Sequence, residues 1–219
     1  TICGRSEEAL AAMAALHGNI RYQTADVTDE ASMQRLFTTA EKAAGPVDIV
    51  IANAGFADSA PFGKTSLDSW QRTLDVNLTG AFLTARPALA GMCQRGWGRV
   101  IFVASTAGLK GYAYVAPYVA AKHGVIGLCR ALAMETAGKG VTVNAICPGF
   151  TETDMLDNSI DKIVDKTGQT PQQAREALAS TNPMGRFIQP REIAQAVLWL
   201  CGADSVTGQA LAVSGGETC

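Results

Sequence analysis

Short runs of apolar, β-branched residues alternate along the chain with longer stretches in which apolar positions recur every three or four residues. The runs are short and bounded by turn residues, which predicts strands buried on both faces. Alternation of such strands with amphipathic helices is typical of a parallel sheet covered by helices. We therefore predict an α/β, doubly wound fold with strands at residues 20–24, 47–52, 99–104, 141–146 and 210–213.

Helical periodicity fills the segments between these strands. Asp29 is a suitable N-cap for the second helix, and Pro190 occupies the first turn of the last one. Asn77 and Gly80 fall inside the longest helix, where their low helix propensity indicates a kink or a site. The predicted helices cover residues 6–16, 30–44, 67–94, 113–136 and 190–200.

The whole chain, 1–219, is interpreted as a single domain because it contains no repeat or linker. Only residues 148–185 depart from the alternation, with short helices predicted at 157–166 and 170–179. Long insertions of this kind are usually lids or binding loops, so we expect residues 151–185 to cover a substrate. The first residues, 1–4, resemble the end of a further strand, and we expect the natural protein to have more chain upstream.

Composition and charge narrow the function classes. With 47% hydrophobic and 17% charged residues, the chain is typical of a folded globular protein. No apolar stretch approaches the roughly 18 residues that a membrane span needs. The net charge of −2, spread without a basic stripe, argues against a nucleic-acid partner.

The cysteines and histidines carry little chemistry of their own. Six cysteines without a C-x-x-C spacing fit a reducing compartment, and we expect the cytoplasm. His17 and His123 stand in separate segments with no cysteine cluster, so no metal site is expected.

Tyr118 and Lys122 stand four residues apart in the predicted helix 113–136. This spacing puts both side chains on one helix face, with Cβ atoms about 5–6 Å apart. An ammonium about 4 Å from the phenol would favour the phenolate by about 4 kcal/mol, which would lower the pKa of Tyr118 toward neutrality for acid–base work. Alone, the pair is more often a core ring beside the stem of a solvated lysine.

Polar residues also follow two of the predicted strands. Ser105 comes directly after the strand 99–104, and Asn53-Ala54-Gly55 follows the strand 47–52. The carboxyl ends of parallel strands are where α/β sheets bind their ligands. Each of these motifs taken singly is equally compatible with an ordinary turn or cap.

Taken together, the motifs resemble the short-chain dehydrogenase/reductase family along essentially the whole chain. Within that family the resemblance is to 3-oxoacyl-carrier-protein reductases, 3-hydroxyacyl-CoA dehydrogenases and polyketide ketoreductases. It implies a Rossmann-like sheet. The motifs that carry it, in the family's order and spacing, are Asp26-Val27, Asn53-Ala54-Gly55, Asn77, Ser105, Tyr118-x-x-x-Lys122 and Pro148-Gly149 with Thr153.

The resemblance implies hydride transfer between a nicotinamide and a carbonyl or alcohol. Tyr118 would give the proton in reduction and take it in oxidation. Lys122 would hold the nicotinamide ribose and lower the pKa of Tyr118, and Ser105 would hydrogen-bond the substrate oxygen. Asn77 would anchor a water that links Lys122 to solvent.

The resemblance also implies a set of cofactor contacts. Asp26 and Val27 would lie at the adenine, and Asn53, Ala54 and Gly55 along the adenosine ribose. The nicotinamide carboxamide would meet residues of one later loop, namely Pro148, Gly149, Thr151 and Thr153.

The predicted first strand ends in Cys3-Gly4-Arg5, with no acidic residue before Glu7. Sites for NAD usually place an acid at this point, whereas a nearby arginine suits the 2′-phosphate of NADP. We therefore expect NADP(H), with Arg5 as its phosphate ligand. NAD(H) stays open, since Arg5 is also a plausible surface residue at the start of a helix.

Two departures from the family pattern stand out. Ala52 replaces the first asparagine of the usual N-N-A-G, which removes one side-chain hydrogen bond within the sheet. The glycine-rich phosphate loop, with its strand and helix of roughly 30 residues, is absent. We expect these 219 residues alone neither to fold stably nor to bind the dinucleotide.

We therefore expect an NADP(H)-dependent reductase of a 3-oxoacyl thioester or a similar ketone. The alternatives are an NAD-dependent dehydrogenase of a hydroxyacyl compound, hydroxyacid or sugar alcohol, and a non-catalytic Rossmann-like binding module. The resemblance also implies a homotetramer assembled through the helices 67–94 and 113–136 and the last strand.

Overall fold

The computed structural model describes residues 1–218, so that Cys219 lies outside the described residues. It confirms an α/β fold in which parallel strands alternate with helices. The strands are β1 (Ile2–Gly4), β2 (Tyr22–Thr24), β3 (Ile49–Ala52), β4 (Gly98–Val103), β5 (Val141–Pro148) and β6 (Ala210–Val213). The helices are α1 (Glu7–Ala14), α2 (Glu30–Ala44), α3 (Leu67–Leu74), α4 (Gly80–Arg95), α5 (Ala116–Thr136), α6 (Asp154–Thr167), α7 (Pro171–Ala179) and α8 (Pro190–Cys201).

The strands form two hydrogen-bonded sheets. One contains β1 and β2, and the other contains β3, β4, β5 and β6 in that order, with every pair parallel. Ala52 of β3 pairs with Phe102 of β4, and Val103 of β4 pairs with Ile146 of β5. This register brings the loops that follow the three strands to one edge of the sheet.

The two central strands of the four-stranded sheet, β4 and β5, are buried on both faces, whereas β3 is buried on one face only. Val100 and Phe102 point to one face, where they pack into a core built with α4 and α5. Ile101 and Ile146 point to the other face and pack against Leu200 of α8. Alternation along β4 therefore explains why this strand is apolar at nearly every position.

The predicted helix 67–94 is interrupted. Residues Asp75–Thr79 form a π-helical turn between α3 and α4. The Asn77 side chain donates to the Thr73 carbonyl, 2.9 Å away, and to the Phe56 carbonyl outside the helix, 2.6 Å away. The break expected at Asn77 is therefore a widened turn, a feature common at functional sites.

Several other predicted boundaries differ from the structure, among them those of α5, β2 and α6. Helix α5 begins at Ala116 instead of 113, because Tyr114 has a left-handed backbone (φ 68°) that a helix excludes. Strand β2 is shorter than predicted and begins at Tyr22. Helix α6 begins at Asp154, three residues earlier than predicted, and Thr170 caps α7 as predicted.

Within residues 1–218, no helix combines the length and the hydrophobicity that crossing a bilayer requires. The same residues contain no cluster of three or more potential metal ligands. The five cysteines among them are unpaired thiols.

Candidate active site

The four predicted catalytic residues lie at the carboxyl edge of the four-stranded sheet. Ser105 follows β4, Tyr118 and Lys122 lie in α5, and Asn77 lies in the π-helical turn. Gly55, after β3, borders two of them: a Cβ there would be 3.4 Å from Asn77 Oδ1 and 3.8 Å from Lys122 Nζ. The structure therefore brings together residues that are far apart in the sequence.

Ser105 is held at the start of a short 3-10 turn, Thr106–Gly108. Its Oγ accepts a hydrogen bond from the Ala107 amide at 3.1 Å, which leaves the hydroxyl hydrogen free to donate elsewhere. The turn lies directly on α5, since a Cβ on Gly108 would be only 2.7 Å from the Lys122 carbonyl oxygen. A glycine is needed there to bring Ser105 close to α5.

Tyr118 is half-buried, and this burial raises the pKa of its phenol. The neighbouring Ser105 hydroxyl opposes the change but does not reverse it. The expected lowering of this pKa by Lys122 is therefore wrong for the structure, because the Lys122 ammonium lies 5.5 Å from the ring centre and is itself desolvated. Tyr118 is consequently protonated at neutral pH.

Lys122 is a buried cation, with only 3% of its surface exposed. Its ammonium donates to the Val103 carbonyl at 2.8 Å, and within residues 1–218 no carboxylate pairs with it. Burial lowers the pKa of Lys122 to about 8, although the nearby Cys147 thiol acts in the opposite direction. Two ammonium hydrogens are left for a ligand.

Asn77 is 1% exposed and bonds mainly to the loop after β3. Its Oδ1 accepts from the Phe56 amide at 3.3 Å while its Nδ2 donates to the Phe56 carbonyl at 2.6 Å. Both amide hydrogens are used, counting the bond to Thr73. The side chain therefore fixes the position of residues 53–56 above α5.

The residues predicted at the adenosine end lie on the two-stranded sheet and are exposed or half-buried. Asp26 accepts hydrogen bonds from the amide and the hydroxyl of Thr28, at 2.9 and 2.7 Å. These bonds lower the pKa of Asp26, with a smaller contribution from Arg5. Arg5 follows β1, is exposed, and precedes Ser6, the N-cap of α1. Val27 is half-buried.

Asn53, Ala54 and Gly55 form an exposed segment directly after β3. Among residues 1–218, no side-chain hydrogen bond involves Asn53, whereas the next residue along, Phe56, is tied to Asn77. The segment is therefore accessible to a ligand at Asn53 and held in place at Phe56.

The predicted carboxamide loop continues from β5, which ends at Pro148. The Gly149 amide donates to the Val213 carbonyl at 3.1 Å. Thr151 Oγ1 donates back to the Gly149 carbonyl at 2.9 Å, and Thr153 Oγ1 donates to the Thr151 carbonyl at 3.2 Å. The hydroxyls thus stiffen the loop internally, while the Thr151 backbone pairs with Ile188.

Sequence reasoning missed a buried polar cluster beside this loop. Glu217 is buried and contacts Lys110 and Tyr112, and Tyr112 in turn contacts Thr106. No motif indicated it, because a single glutamate after Ser214-Gly215-Gly216 looks like an exposed residue. Only the fold brings position 217 to positions 106–112.

Comparison with known proteins identifies the family of this chain. A family model described as Enoyl-(Acyl carrier protein) reductase matches residues 2–218. The chain belongs to the short-chain dehydrogenase/reductase family. The match covers the entire described fold, so the predicted resemblance is confirmed and this short-chain dehydrogenase/reductase is an oxidoreductase.

Individual members of the family are similar along most of their length. The chain is 38% identical to D-beta-hydroxybutyrate dehydrogenase of Cupriavidus necator over 200 residues, which is 90% of this chain and 78% of that protein. It is also 38% identical to acetoacetyl-CoA reductase of Rhizobium meliloti, over 79% of this chain and 68% of that protein. The crystal structure of an actinorhodin polyketide ketoreductase variant with NADPH has a TM-score of 0.94 at 35% identity, covering 99% of this chain and 86% of that one.

Proposed function

We propose that this short-chain dehydrogenase/reductase uses NADP(H) to reduce the ketone of a 3-oxoacyl thioester, or of a similar compound, to a secondary alcohol. One observation carries the proposal: the hydroxyls of Ser105 and Tyr118 lie together one helical turn from Lys122, a buried cation with no counter-ion among the described residues. Such a cation is costly unless a ligand pairs with it.

A bound nicotinamide supplies the hydride, and the protein manages the charge and the proton. Tyr118 is protonated at neutral pH because burial raises its pKa, so it can donate its proton to the substrate oxygen. The free hydrogen of the Ser105 hydroxyl donates to the same oxygen as negative charge develops there. The product is an alcohol, and Tyr118 recovers a proton from solvent.

Lys122 fits a ribose with two hydroxyl groups. The two free hydrogens of the Lys122 ammonium would donate to these oxygens, which offsets the burial of the charge. Both amide hydrogens of Asn77, in contrast, are bonded to backbone carbonyls, which leaves only its Oδ1 for the expected water. Asn77 holds the loop of Asn53, Ala54 and Gly55 in place, and we propose that this loop lies along the adenosine ribose.

The carboxamide end would lie against Pro148, Gly149 and the backbone of Thr151, with the Thr153 hydroxyl nearby. The internal bonds of this loop support the role because they preorganise its shape before a ligand arrives. At the other end of the cofactor, Asp26 and Val27 would contact the adenine.

Preference for NADP(H) rests on Arg5. It is exposed at the carboxyl end of β1, and residues 1–5 contain no acid that would repel a phosphate. The N-terminus of α1 directly follows and adds a favourable partial charge for an anion. The similar polyketide ketoreductase was crystallised with NADPH, which agrees with this preference.

The substrate class rests on the relatives and on the segment 151–185. The names ketoreductase and acetoacetyl-CoA reductase both describe reduction of a ketone, and acetoacetyl-CoA is a 3-oxoacyl thioester. Helices α6 and α7 pack on each other through Leu156, Ile160 and Ala174 and so form a unit large enough to cover an extended acyl chain.

The oxidative direction is the second candidate, because a dehydrogenase of D-beta-hydroxybutyrate is equally similar. Oxidation requires Tyr118 as phenolate to accept the alcohol proton. Since burial raises the pKa of Tyr118, oxidation should accelerate with increasing pH while reduction is supported at neutral pH.

The test is to mix the protein with acetoacetyl-CoA and either NADPH or NADH and to follow nicotinamide absorbance, with 3-hydroxybutyrate and oxidised cofactor as the reverse assay. We expect consumption of NADPH, slower consumption of NADH, and a hydroxyacyl product. Cofactor binding without turnover of any ketone or alcohol would refute the enzymatic proposal and favour a binding module.

We further propose that a strand, a glycine-rich turn and a helix complete the sheet between β1 and β3 and hold the pyrophosphate. Two features support this: β1 and β3 are not hydrogen-bonded to each other, and Ile49 and Ile51 of β3 are 41% and 46% exposed. In a protein that carries this unit, the amides of β3 should exchange slowly with solvent; rapid exchange would refute the proposal.

We also propose a homotetramer in the cytoplasm. Two apolar residues of α5, Val125 and Ile126, are buried inside the chain and are not available for assembly. What supports assembly now is Met134 of α5, 87% exposed, together with Phe82 of α4, 40% exposed. Elution at a monomer's volume in size-exclusion chromatography would refute it.

A further inference from the structure

Glu217 is an unusual residue for its position, because its side chain is completely buried. Buried carboxylates are rare unless they are paired, since removing the charge from water is costly. Glu217 lies beyond β6 and outside the group formed by Ser105, Tyr118 and Lys122. Its partners show what its burial achieves.

One carboxylate oxygen of Glu217 holds two side chains of the segment 109–115. The Tyr112 hydroxyl donates a hydrogen bond to Oε1. The Lys110 ammonium lies 3.2 Å from the same oxygen and also donates to the Glu217 backbone carbonyl at 3.3 Å. The ion pair and the phenol together compensate the buried charge.

Tyr112 also contacts Thr106, the residue next to Ser105. The hydroxyls of Tyr112 and Thr106 are 2.6 Å apart, and Thr106 is 3% exposed. Because the Tyr112 proton is given to the carboxylate, Thr106 must be the donor in this contact. Burial, together with Glu217, raises the pKa of the Tyr112 phenol, so the phenol keeps the proton that it donates to Glu217 Oε1.

Glu217 also lies close to the loop that follows β5. Its Oε2 is 3.0 Å from the position that a Gly149 Cβ would take, so a larger residue at 149 would displace the carboxylate or the Ser214 backbone by a few tenths of an ångström. This oxygen is buried and has no hydrogen-bond partner within residues 1–218. The Tyr112 ring meets Phe150 edge-on, with ring centres 6.2 Å apart.

We propose that Glu217 is a positioning residue for the reduction, acting through Tyr112 and Thr106 to set where the Ser105 hydroxyl lies relative to the loop 148–151. The inference rests on the proposed function. The Ser105 turn and the loop 148–151 are the two parts that must meet around a substrate. Glu217 hydrogen-bonds to Tyr112, which contacts the first part, and lies close to Gly149 in the second. A displacement of about 1 Å at such a centre can cost about 100-fold in rate.

The test measures kcat and KM for Tyr112→Phe and Glu217→Gln, each also combined with Ser105→Ala. We expect each single variant to lower kcat about tenfold while the KM for the cofactor stays within about twofold. In the Ser105→Ala background the same changes should have no further effect on kcat, because the group they position is gone. Tyr114→Phe is the matched control, since that phenol belongs to the same segment but is 65% exposed.

A purely structural role would give a different pattern. If Tyr112→Phe and Glu217→Gln leave kcat unchanged, or lower it by the same factor with and without the Ser105 hydroxyl, the proposal is overturned. Tyr112→Phe keeps the test decisive if Glu217→Gln does not fold, because it retains the ring that packs on Phe150.

Amide hydrogen exchange separates this inference from the proposed function, because it requires no turnover. In Tyr112→Phe, the amides of Ala107, Gly108 and Lys110, which bond within the Ser105 turn, should exchange faster than in the unmodified protein. The amides of α2 should not change. Unchanged exchange in the turn would overturn the positioning role even if no reductase activity were found.

Discussion

The four-stranded and the two-stranded parts of the fold differ in how far their functional residues are buried and bonded. In the four-stranded part, Lys122 and Asn77 are almost completely buried and bonded to backbone groups, and the Ser105 turn lies against α5. In the two-stranded part, Arg5 is exposed, and within residues 1–218 the Asp26 side chain hydrogen-bonds only to Thr28, two residues away. The groups assigned to the chemistry are fixed before any ligand binds, whereas those assigned to the adenosine end are not.

This difference has a physical cause. The chemistry requires a phenol and an ammonium at defined positions in a dry environment. Helix α5 carries both groups and holds them in place because it packs on the buried strands of the four-stranded sheet. Recognition of an adenosine phosphate needs charge at the surface, where a side chain can adapt to the ligand. Substitutions in the four-stranded part should therefore alter rate and stability, and those in the two-stranded part should alter cofactor preference.

The strongest way to break the comparison is Lys122→Met, which fits the same space without the charge. We expect kcat/KM to fall about 1000-fold, because both the ribose contact and the charge near Tyr118 are lost. The measurement is steady-state reduction of acetoacetyl-CoA. Lys139→Met, at an exposed lysine, is the control and should be unaffected. A loss under about fivefold would contradict the role of Lys122.

Within the four-stranded part, Asn77→Ala and Asn53→Ala test whether burial sets the cost of a substitution. Asn77→Ala removes two donors and leaves the Phe56 and Thr73 carbonyls without their partner, so the free energy of unfolding should fall by about 2–3 kcal/mol. Asn53 is exposed, and its replacement should cost less than about 0.5 kcal/mol. Urea unfolding measures both, and equal losses would show that burial of Asn77 does not stabilise this part of the protein.

Arg5→Ala tests the two-stranded part. Loss of a charge-assisted contact to the 2′-phosphate should raise the KM for NADPH about tenfold and leave the KM for NADH unchanged. Arg21→Ala, exposed on the same two-stranded part, should change neither. If both KM values rise together for Arg5→Ala, the residue does not discriminate between the cofactors.

The smallest expected effect is a pH dependence of stability. Burial lowers the pKa of Lys122 to about 8 from an ordinary value of 10.5, so the folded protein binds fewer protons than the unfolded chain between these values. Stability should therefore rise with pH across this window relative to Lys122→Met, whose stability lacks this contribution. Urea unfolding of both proteins at pH 7.5 and 9.5 tests this. An equal change in the free energy of unfolding of the two proteins would contradict the lowered pKa of Lys122. Cys147 is replaced by alanine in both proteins, because burial raises the Cys147 pKa while Lys122 lowers it, and the titration of this thiol would otherwise differ between them.

The sequence predicted much of the fold because local signals agree with it there. Helix α2 and strand β6 have the predicted bounds, since Asp29 caps one and turn residues bound the other. The sequence also indicated three residues of the site. Ser105 directly follows strand β4, and Tyr118 and Lys122 lie one turn apart in helix α5, so local patterns were enough to find them.

The sequence could not predict features that depend on burial or on distant contacts. The direction of the Tyr118 pKa was wrong because desolvation, which the spacing does not report, outweighs the Lys122 charge. The role of Glu217 could not be predicted because its partners lie more than 100 positions away along the chain. The π-helical turn at Asn77 was foreseen only as an irregularity.

The central claim is that Tyr118 donates the proton to a ketone in a site that binds NADP(H). The most direct measurement compares Tyr118→Phe with the unmodified protein in NADPH-dependent reduction of acetoacetyl-CoA, together with NADPH binding by fluorescence. If Tyr118 is the proton donor, kcat should fall about 1000-fold or more in Tyr118→Phe. Cofactor affinity should change less than about threefold, because the ring and Lys122 stay in place. Turnover within about tenfold of the unmodified protein would contradict it.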